Sequence, residues 1–506
     1  MATHRDDWEP ILAHLDAAHR AATAMGGPER VARHRSRGKL DARQRIDALF
    51  DPGTFVEIGA LVGSLTGPDQ PATPADALVA GFGEIDGRPA VAGAEDFTVL
   101  GGSIGNGASD KRYRLCQLAA QERVPLVFML EGAGHRLTNP AAGRRPNDLQ
   151  GLADLSGLVP MVCLVLGASA GHGALTAPLS DFVVMTEESQ LFTAGPPLVK
   201  AAIGEDVTKE ELGGPQVHVH ASGVAHNLVP DDHAAIALAR RYLSYFPTNA
   251  WERPEVTAGP DTGPRRVEEL LDLVPPDPRR GYSMRAVLDL VVDHGSLLEV
   301  QPTFGSAVVT ALARLGGESV AIVANDPQVM AGTVDADAAD KAAHFIGVAD
   351  AFHLPLVLLA DNPGVMAGTA AERVGALRHV ARMFAAQHRY QGVKLHVTVR
   401  KAFGFGSSVM GMNPFDHQTR STAFPAVTLG ALPAHSGGAS AKLDAAERER
   451  LAADQARGSF RVADNLGYDG VIDPRDLRDE LLRGLRLSAH RRRGPADPVT
   501  HRGVLP

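Results

Sequence analysis

An internal duplication constrains this chain more than any other feature of its sequence. The segment Ser109-Asp-Lys-Arg-Tyr-Arg-Leu-Cys-Gln-Leu-Ala-Ala-Gln-Glu-Arg-Val-Pro-Leu-Val-Phe-Met-Leu-Glu-Gly-Ala-Gly134 aligns without a gap on 339–364, so Lys111 faces Lys341, 230 positions later. The same separation pairs Asp96 with Asp326, Gly87 with Gly317 and Pro125 with Pro355. Upstream, Asp51-Pro-Gly-Thr-Phe-Val-Glu57 recurs as Asp293-His-Gly-Ser-Leu-Leu-Glu299 at a separation of 242, which places twelve extra residues in the first copy, in the Gly/Pro-rich loop near Gly67 to Ala75. Downstream, Gly171-His172-Gly173 faces Gly404-Phe405-Gly406 at a separation of 233. The 506 residues are therefore expected to hold two copies of one unit, 1–255 and 275–506, joined near Glu252 to Pro278 where Pro, Asp and Gly cluster.

Each copy reads as an apolar run (Ala90 to Ala94; Val320 to Ala324), a Gly-containing loop, a helix with apolar residues at helical spacing, and a buried strand (Leu126 to Leu130; Leu356 to Ala360). That alternation predicts an α/β fold with a mainly parallel sheet and right-handed crossovers. In such sheets chemistry gathers where strands end and helices begin. Met1 to Arg37 reads as a polar helical arm and Leu443 to Leu487 as C-terminal helices.

Composition narrows the function classes. A net charge of −9 leaves no basic footprint for nucleic acid and no polybasic membrane signal. Two cysteines, Cys116 and Cys163, supply neither a disulfide framework nor a zinc ribbon, and the expected compartment is a reducing cytoplasm. The charge-free stretch Gly157 to Leu179 is long enough to raise a membrane span, but Pro160, Pro178 and its Gly/Ala/Ser centre break it into a strand, a turn and a helix start. His218, His220 and His226 lack acidic partners at ligand spacing, so no metal site is expected. Arg491 to Arg493 reads as a solvated tail. A phosphate loop, a zinc helix of the H-E-x-x-H type and a dinucleotide turn are all absent.

Two loops can carry chemistry. After the apolar run Met161 to Leu166 comes Gly167-Ala-Ser-Ala-Gly-His-Gly-Ala174, and its counterpart after Leu395 to Val399 is Arg400-Lys-Ala-Phe-Gly-Phe-Gly-Ser-Ser408. A glycine-rich turn into a helix start presents free backbone N–H groups, which suit an oxyanion. Two such sites, one per copy, are expected. Gly167-Ala-Ser-Ala-Gly171 also matches the G-x-S-x-G nucleophile elbow. Against a hydrolase, the residue facing Ser169 is Ala402, and no Asp-then-His partners are evident.

At these residues the chain resembles the carboxyltransferase (β) subunits of biotin-dependent acyl-CoA carboxylases. Gly38-Lys-Leu-Asp-Ala-Arg-Gln-Arg-Ile-Asp-Ala-Leu-Phe-Asp-Pro-Gly-Thr-Phe-Val-Glu57 is similar to that family's opening signature. Gly81-Phe-Gly-Glu-Ile-Asp-Gly87, Glu95-Asp-Phe-Thr-Val-Leu-Gly-Gly-Ser103, Gly195-Pro-Pro-Leu-Val-Lys200, Glu210-Glu-Leu-Gly-Gly-Pro215 and Ser222-Gly-Val-Ala-His226 follow in order. The resemblance implies two tandem crotonase-like domains, the first on the acyl-CoA side and the second on the biotin side. It implies a homo-hexamer in which the N-domain of one chain faces the C-domain of another. No Met-Lys-Met biotin acceptor is present, so carboxybiotin would arrive on a separate carrier, with a biotin carboxylase and carrier α subunit as partner.

The implied reaction needs no side-chain nucleophile and no metal. Carboxybiotin releases CO2, the ureido anion takes the α-proton of the coenzyme A thioester, and the enolate captures CO2. By the resemblance, Gly171 and His172 hold the thioester oxygen and Phe405 and Gly406 the ureido oxygen of biotin. Gly132, Ala133, Gly134, Gly173, Gly404 and Ser408 contact substrate, with Ser408 lining the acyl pocket. Three departures stand out. His172 and Phe405 occupy positions where relatives carry glycine, and Glu131-Gly-Ala-Gly-His-Arg136 replaces an Asp-Ser-Gly-Gly-Ala-Arg pattern. After Phe424-Pro-Ala-Val-Thr-Leu-Gly430 the fit is loose. His172 is read either as a space filler or as an acid or base, since an imidazole titrates near neutral pH. Two other readings stay open: biotin-independent decarboxylation or hydrolysis of an acyl-CoA through His172, His135 and Ser169, and a non-catalytic assembly subunit.

Overall fold

The computed structural model describes residues 4–63, 72–139, 146–499 and 503–504. Most of the loop expected to hold the twelve extra residues, 64–71, lies outside them. The chain forms two compact units that divide between Ser244 and Tyr245.

The first unit is built on a seven-stranded sheet. Its strands are β1 (Val56–Glu57), β2 (Leu78–Ile85), β3 (Arg88–Glu95), β4 (Leu126–Leu130), β5 (Met161–Val165), β7 (Phe182–Thr186) and β9 (Asn227–Val229), in that spatial order. Two short strands, β6 (Ala168–Ala170) and β8 (Gln190–Phe192), pair in parallel beside it. Pairing is antiparallel from β1 to β3 and parallel from β3 to β9. The second unit repeats the plan with β10 (Leu298–Val300), β11 (Val308–Leu315), β12 (Glu318–Asn325), β13 (Leu356–Asn362), β14 (Lys394–Phe403), β15 (Gln418–Ala423) and β17 (Gly470–Val471), and β16 (Thr428–Gly430) adds to the far end of β14.

The two separations seen in the sequence, 242 and 230, converge on one structural device. β2 and β3 are joined by a two-residue hairpin turn whose central residues, Asp86 and Gly87, have φ of 51° and 74°. Positive φ at both central positions defines the turn that matches strand twist. The Asp51 carboxylate accepts the N–H groups of Asp86 and Gly87 at 3.2 and 2.8 Å. In the second unit Gly316 and Gly317 make the same turn between β11 and β12, and the Asp293 carboxylate accepts their N–H groups at 3.0 and 2.7 Å.

The crossover helices Asn106–Glu122 and Ala336–Ala351 also superimpose at 230 positions. Each buries a lysine whose ammonium is held by backbone carbonyls: Lys111 by Ala75 and Leu78, Lys341 by Gln301 and Phe304. Burial lowers Lys111 to about 8 and Lys341 to about 7. β4 and β5, and β13 and β14, are buried along their whole length, as expected for strands covered on both faces.

The N-terminal arm is helical at Arg5–Thr23 and Pro28–Arg35, and the C-terminal stretch at Ala445–Gln455, Gly458–Asp464 and Leu477–Leu487. The Pro-rich stretch 252–278 belongs to the second unit. Val267 and Leu270 are buried in that unit's core, and the Val267 N–H donates to the Arg475 carbonyl. The charge-free stretch Gly157 to Leu179 contains β5, β6 and a single 3-10 turn, Gly173–Thr176, where an α-helix start was expected. Among the described residues no helix is long and apolar enough to cross a membrane.

Candidate active site

In the first unit the chain leaves β5, forms β6, and turns at Gly171 with φ +62°, a left-handed conformation suited to glycine. β6 pairs with β8 up to Ala170 and Phe192, and the next donor, the Gly171 N–H, continues that pairing to the Phe192 carbonyl at 3.0 Å. This corrects the expectation for Gly171, whose N–H is already satisfied. His172 and Gly173 are the residues whose N–H groups find no acceptor among the described residues. The donor pair sits one residue later because pairing between strands twenty residues apart consumed the first donor.

Gly132, Ala133 and Gly134 border this turn. The Ala170 N–H donates to the Gly132 carbonyl at 3.0 Å, and a Cβ on Gly134 would stand 2.8 Å from the Ala170 carbonyl oxygen. Arg136 fixes the loop from behind, donating to Asp76 at 2.7 Å and to the Ser103 carbonyl at 3.0 Å. Glu131, buried at the end of β4, meets Arg45 at 2.6 Å and Lys39 at 3.4 Å. The opening signature thus carries the cations that hold this strand end.

The second unit builds the same turn. Gly404 has φ +56°, and Phe405 and Gly406 open the short helix Gly404–Val409 with N–H groups that find no acceptor among the described residues. Gly406 is packed so closely that a Cβ would lie 2.8 Å from the Gly364 backbone, whereas Phe405 is 56% exposed. Ser408, half-buried, offers its carbonyl to Gln387 and Asn413. A cavity of about 840 Å³ opens beside this turn, lined in part by Leu429, Ala431, Leu432 and Val462. The Ala431 carbonyl lies 3.1 Å from a Cβ on Gly404.

Around the first turn lies a charged chain that sequence reasoning missed. Arg112, 1% exposed, donates to Asp148 at 2.6 Å, to Glu95 at 3.1 Å and to the Thr176 hydroxyl at 2.5 Å, with its guanidinium 4.6 Å from the centre of the Phe128 ring. Asp148, fully buried, contacts His172 Nε2 at 2.5 Å. Burial pushes the Asp148 carboxyl up, but the His172 hydrogen bond and the Arg112 charge outweigh it and hold the group well below the usual carboxylate range. Burial raises Glu95 against the opposing pull of Arg112. His135 stands with its ring centre 4.5 Å from that of His172, and burial followed by the nearby His172 lowers it. Besides His172 and His135, which the sequence had singled out, a further signal was Arg112 itself, a charge facing Ala342 in the duplicated helix.

His172 is thus engaged through Nε2 by a buried carboxylate. Ser169 is not placed as a nucleophile: it sits in the middle of β6, 1% exposed, with its hydroxyl unpartnered among the described residues, and not on the exposed apex that an elbow requires. His218 bonds the Leu191 carbonyl, and the buried His226 accepts the Val183 N–H. No cluster of metal-ligating side chains occurs among the described residues.

Comparison with known proteins bears on this geometry. The family model for the carboxyl transferase domain matches residues 33–505. The chain is 37% identical to the methylmalonyl-CoA carboxyltransferase 12S subunit of Propionibacterium freudenreichii subsp. shermanii, over 96% of this chain and 94% of that one. It is 34% identical to the propionyl-CoA carboxylase beta chain of Saccharopolyspora erythraea, over 98% and 95%. Among solved structures, the transcarboxylase 12S hexamer with methylmalonyl-coenzyme A and methylmalonic acid bound is similar along the full length of both chains, with a TM-score of 0.90 at 34% identity.

Proposed function

The chain belongs to the carboxyl transferase family, and from that premise we propose that it moves a carboxyl group between biotin on a separate carrier and the α carbon of an acyl-CoA. Its tandem α/β units are of the crotonase-like kind. The observation that carries the reading is the same turn built twice, at Gly171 and Gly404, each followed by two backbone N–H groups without acceptors among the described residues.

Preorganised N–H pairs stabilise charge where it develops, and each donor is worth about 10²–10³ in rate. The His172 and Gly173 pair holds the thioester oxygen as it gains enolate charge, with Gly132, Ala133 and Gly134 bordering the bound thioester. The Phe405 and Gly406 pair fits a ureido carbonyl, because it offers two adjacent donors that find no acceptor among the described residues. Biotin, when bound there, supplies or receives the carboxyl group. Ser408, two residues beyond that pair, lines the acyl pocket and bears on chain-length choice. The same reading gives the protein a cytoplasmic place, a homo-hexameric assembly and an α subunit carrying biotin carboxylase and biotin carrier functions.

The test is incubation of the full chain with methylmalonyl-CoA and free biotin or a biotinylated carrier, followed by mass spectrometry. Carboxybiotin and propionyl-CoA in equal amounts are expected. Consumption of methylmalonyl-CoA without carboxybiotin would overturn the reading.

A further inference from the structure

The backbone of the first turn is duplicated, as is the buried carboxylate at the strand end (Glu131, Asp361), but the side chains at 112, 135 and 172 are not. The helices carrying Arg112 and Ala342 superimpose at 230 positions. The isolated bridges Ile104 to His135 and Val334 to Val365 coincide at the same separation. His172 and Phe405 follow the matching glycines Gly171 and Gly404. At all three positions the first unit has a cationic or titratable residue and the second has an apolar one. A purely structural need of the turn would be shared by both copies. The constellation Arg112, Asp148, His172 and His135 therefore serves something that only the first turn does.

The hydrogen bonds define the state of His172. Asp148 is an ionised acceptor held by Arg112, so the imidazole nitrogen facing it, Nε2, carries the proton. Nδ1 then keeps its lone pair, and it has no hydrogen-bond partner among the described residues. A buried carboxylate that orients an imidazole and stabilises its cation is the arrangement by which a histidine serves as general base. The charged and titratable groups facing this imidazole are Asp148 on the helix Asp148–Leu155, Arg112 on Asn106–Glu122, Glu95 at the end of β3, and His135 after β4.

We propose that His172 is the proton-transfer residue for the α carbon of an acyl-CoA held at this turn, so that the chain enolises the thioester without biotin. The inference rests on the acyl-CoA reading above. In the step, His172 Nδ1 forms a bond to the α-proton and the C–H bond breaks. The C–H electron pair forms the enolate, whose charge falls on the thioester oxygen at the N–H groups of His172 and Gly173. Return of the proton from the imidazolium regenerates the thioester. Asp148 and Arg112 are positioning residues, acting through the imidazole.

The experiment is α-deuterium incorporation into propionyl-CoA in D2O without biotin, read by mass spectrometry, alongside carboxybiotin formation from methylmalonyl-CoA by the same preparation. The wild type exchanges, and His172→Gln and His172→Gly lower the exchange rate by about 100-fold or more, within the range for a general base. Asp148→Asn, which reverses the preferred tautomer, slows exchange while leaving propionyl-CoA binding intact, a split between rate and affinity that a merely structural role would not produce. If the wild type forms carboxybiotin but exchanges no faster than protein-free buffer, or if exchange survives in His172→Gln, the inference is overturned while the transfer reading stands. Exchange without carboxybiotin supports the inference and sinks the transfer reading. Neither product sinks both.

Discussion

Replacing Arg112 by methionine tests how the first active-site turn is held. The guanidinium is 1% exposed and joins Asp148, Glu95 and Thr176. Methionine keeps much of the aliphatic contact with Phe128 and removes the charge. Glu95 is then left without its cation and Asp148 keeps only His172, a loss of about 3–5 kcal/mol for a broken buried pair. For a unit of this size each kcal/mol lowers Tm by about 2–4 °C, so a fall on the order of 10 °C is expected. The loss depends on pH in a defined direction. Burial already raises Glu95 with Arg112 present, and loss of the guanidinium raises it further above its unfolded value, so the folded state binds more protons and stability falls as pH rises through that interval. Thermal unfolding followed by circular dichroism at pH 5 and pH 8, at fixed protein concentration, measures both effects. The double variant Arg112→Met with Glu95→Gln recovers part of the loss, because the uncompensated charge of Glu95 is gone. A Tm within about 3 °C of wild type at pH 8 would refute the reasoning, since the guanidinium would then contribute less than about 1 kcal/mol.

Two further outcomes follow from single side chains. In Gly406→Val the added Cβ meets the Gly364 backbone at 2.8 Å and Asn362 Oδ1 at 2.9 Å, so the second turn must move; carboxybiotin formation is expected to drop by about 100-fold, as for a lost oxyanion donor, and normal carboxybiotin formation would refute the assignment. Burial pushes the Asp181 carboxyl up to about 7 from 3.8. Its contribution to stability therefore falls as pH rises from about 4 to 7, so Asp181→Asn raises Tm more at pH 8 than at pH 5. Equal shifts at the two pH values would show that Asp181 is not held protonated.

The duplication was legible because its markers are local. An Asp-Gly or Gly-Gly pair between apolar runs specifies a hairpin turn wherever it occurs, and the lysines at 111 and 341 sit at one register of one helix. The two glycine-rich turns were legible for the same reason, since a left-handed residue is required at Gly171 and Gly404 whatever surrounds them. Which N–H groups those turns leave free was not legible. β8, twenty residues downstream, takes the Gly171 donor, and nothing between positions 167 and 174 records that.

The charged chain was hidden by the same distance in sequence. Arg112, Asp148 and His172 lie on a crossover helix, on the start of another helix and on a turn; His172 stood out in the sequence, but Arg112 and Asp148 alone read as ordinary surface residues. Ser169 shows the converse. Its motif is intact in sequence, yet strand pairing turns its hydroxyl into the interior. Periodicity, glycine placement and repetition act through the backbone over a few residues, and they were enough to predict two α/β units and two glycine-rich turns, while the family was legible from its motifs. Proton positions, donor availability and the burial of charge depend on groups that only the packed sheet brings within hydrogen-bonding distance, and so the tertiary structure alone decided that His172 has a buried carboxylate behind it.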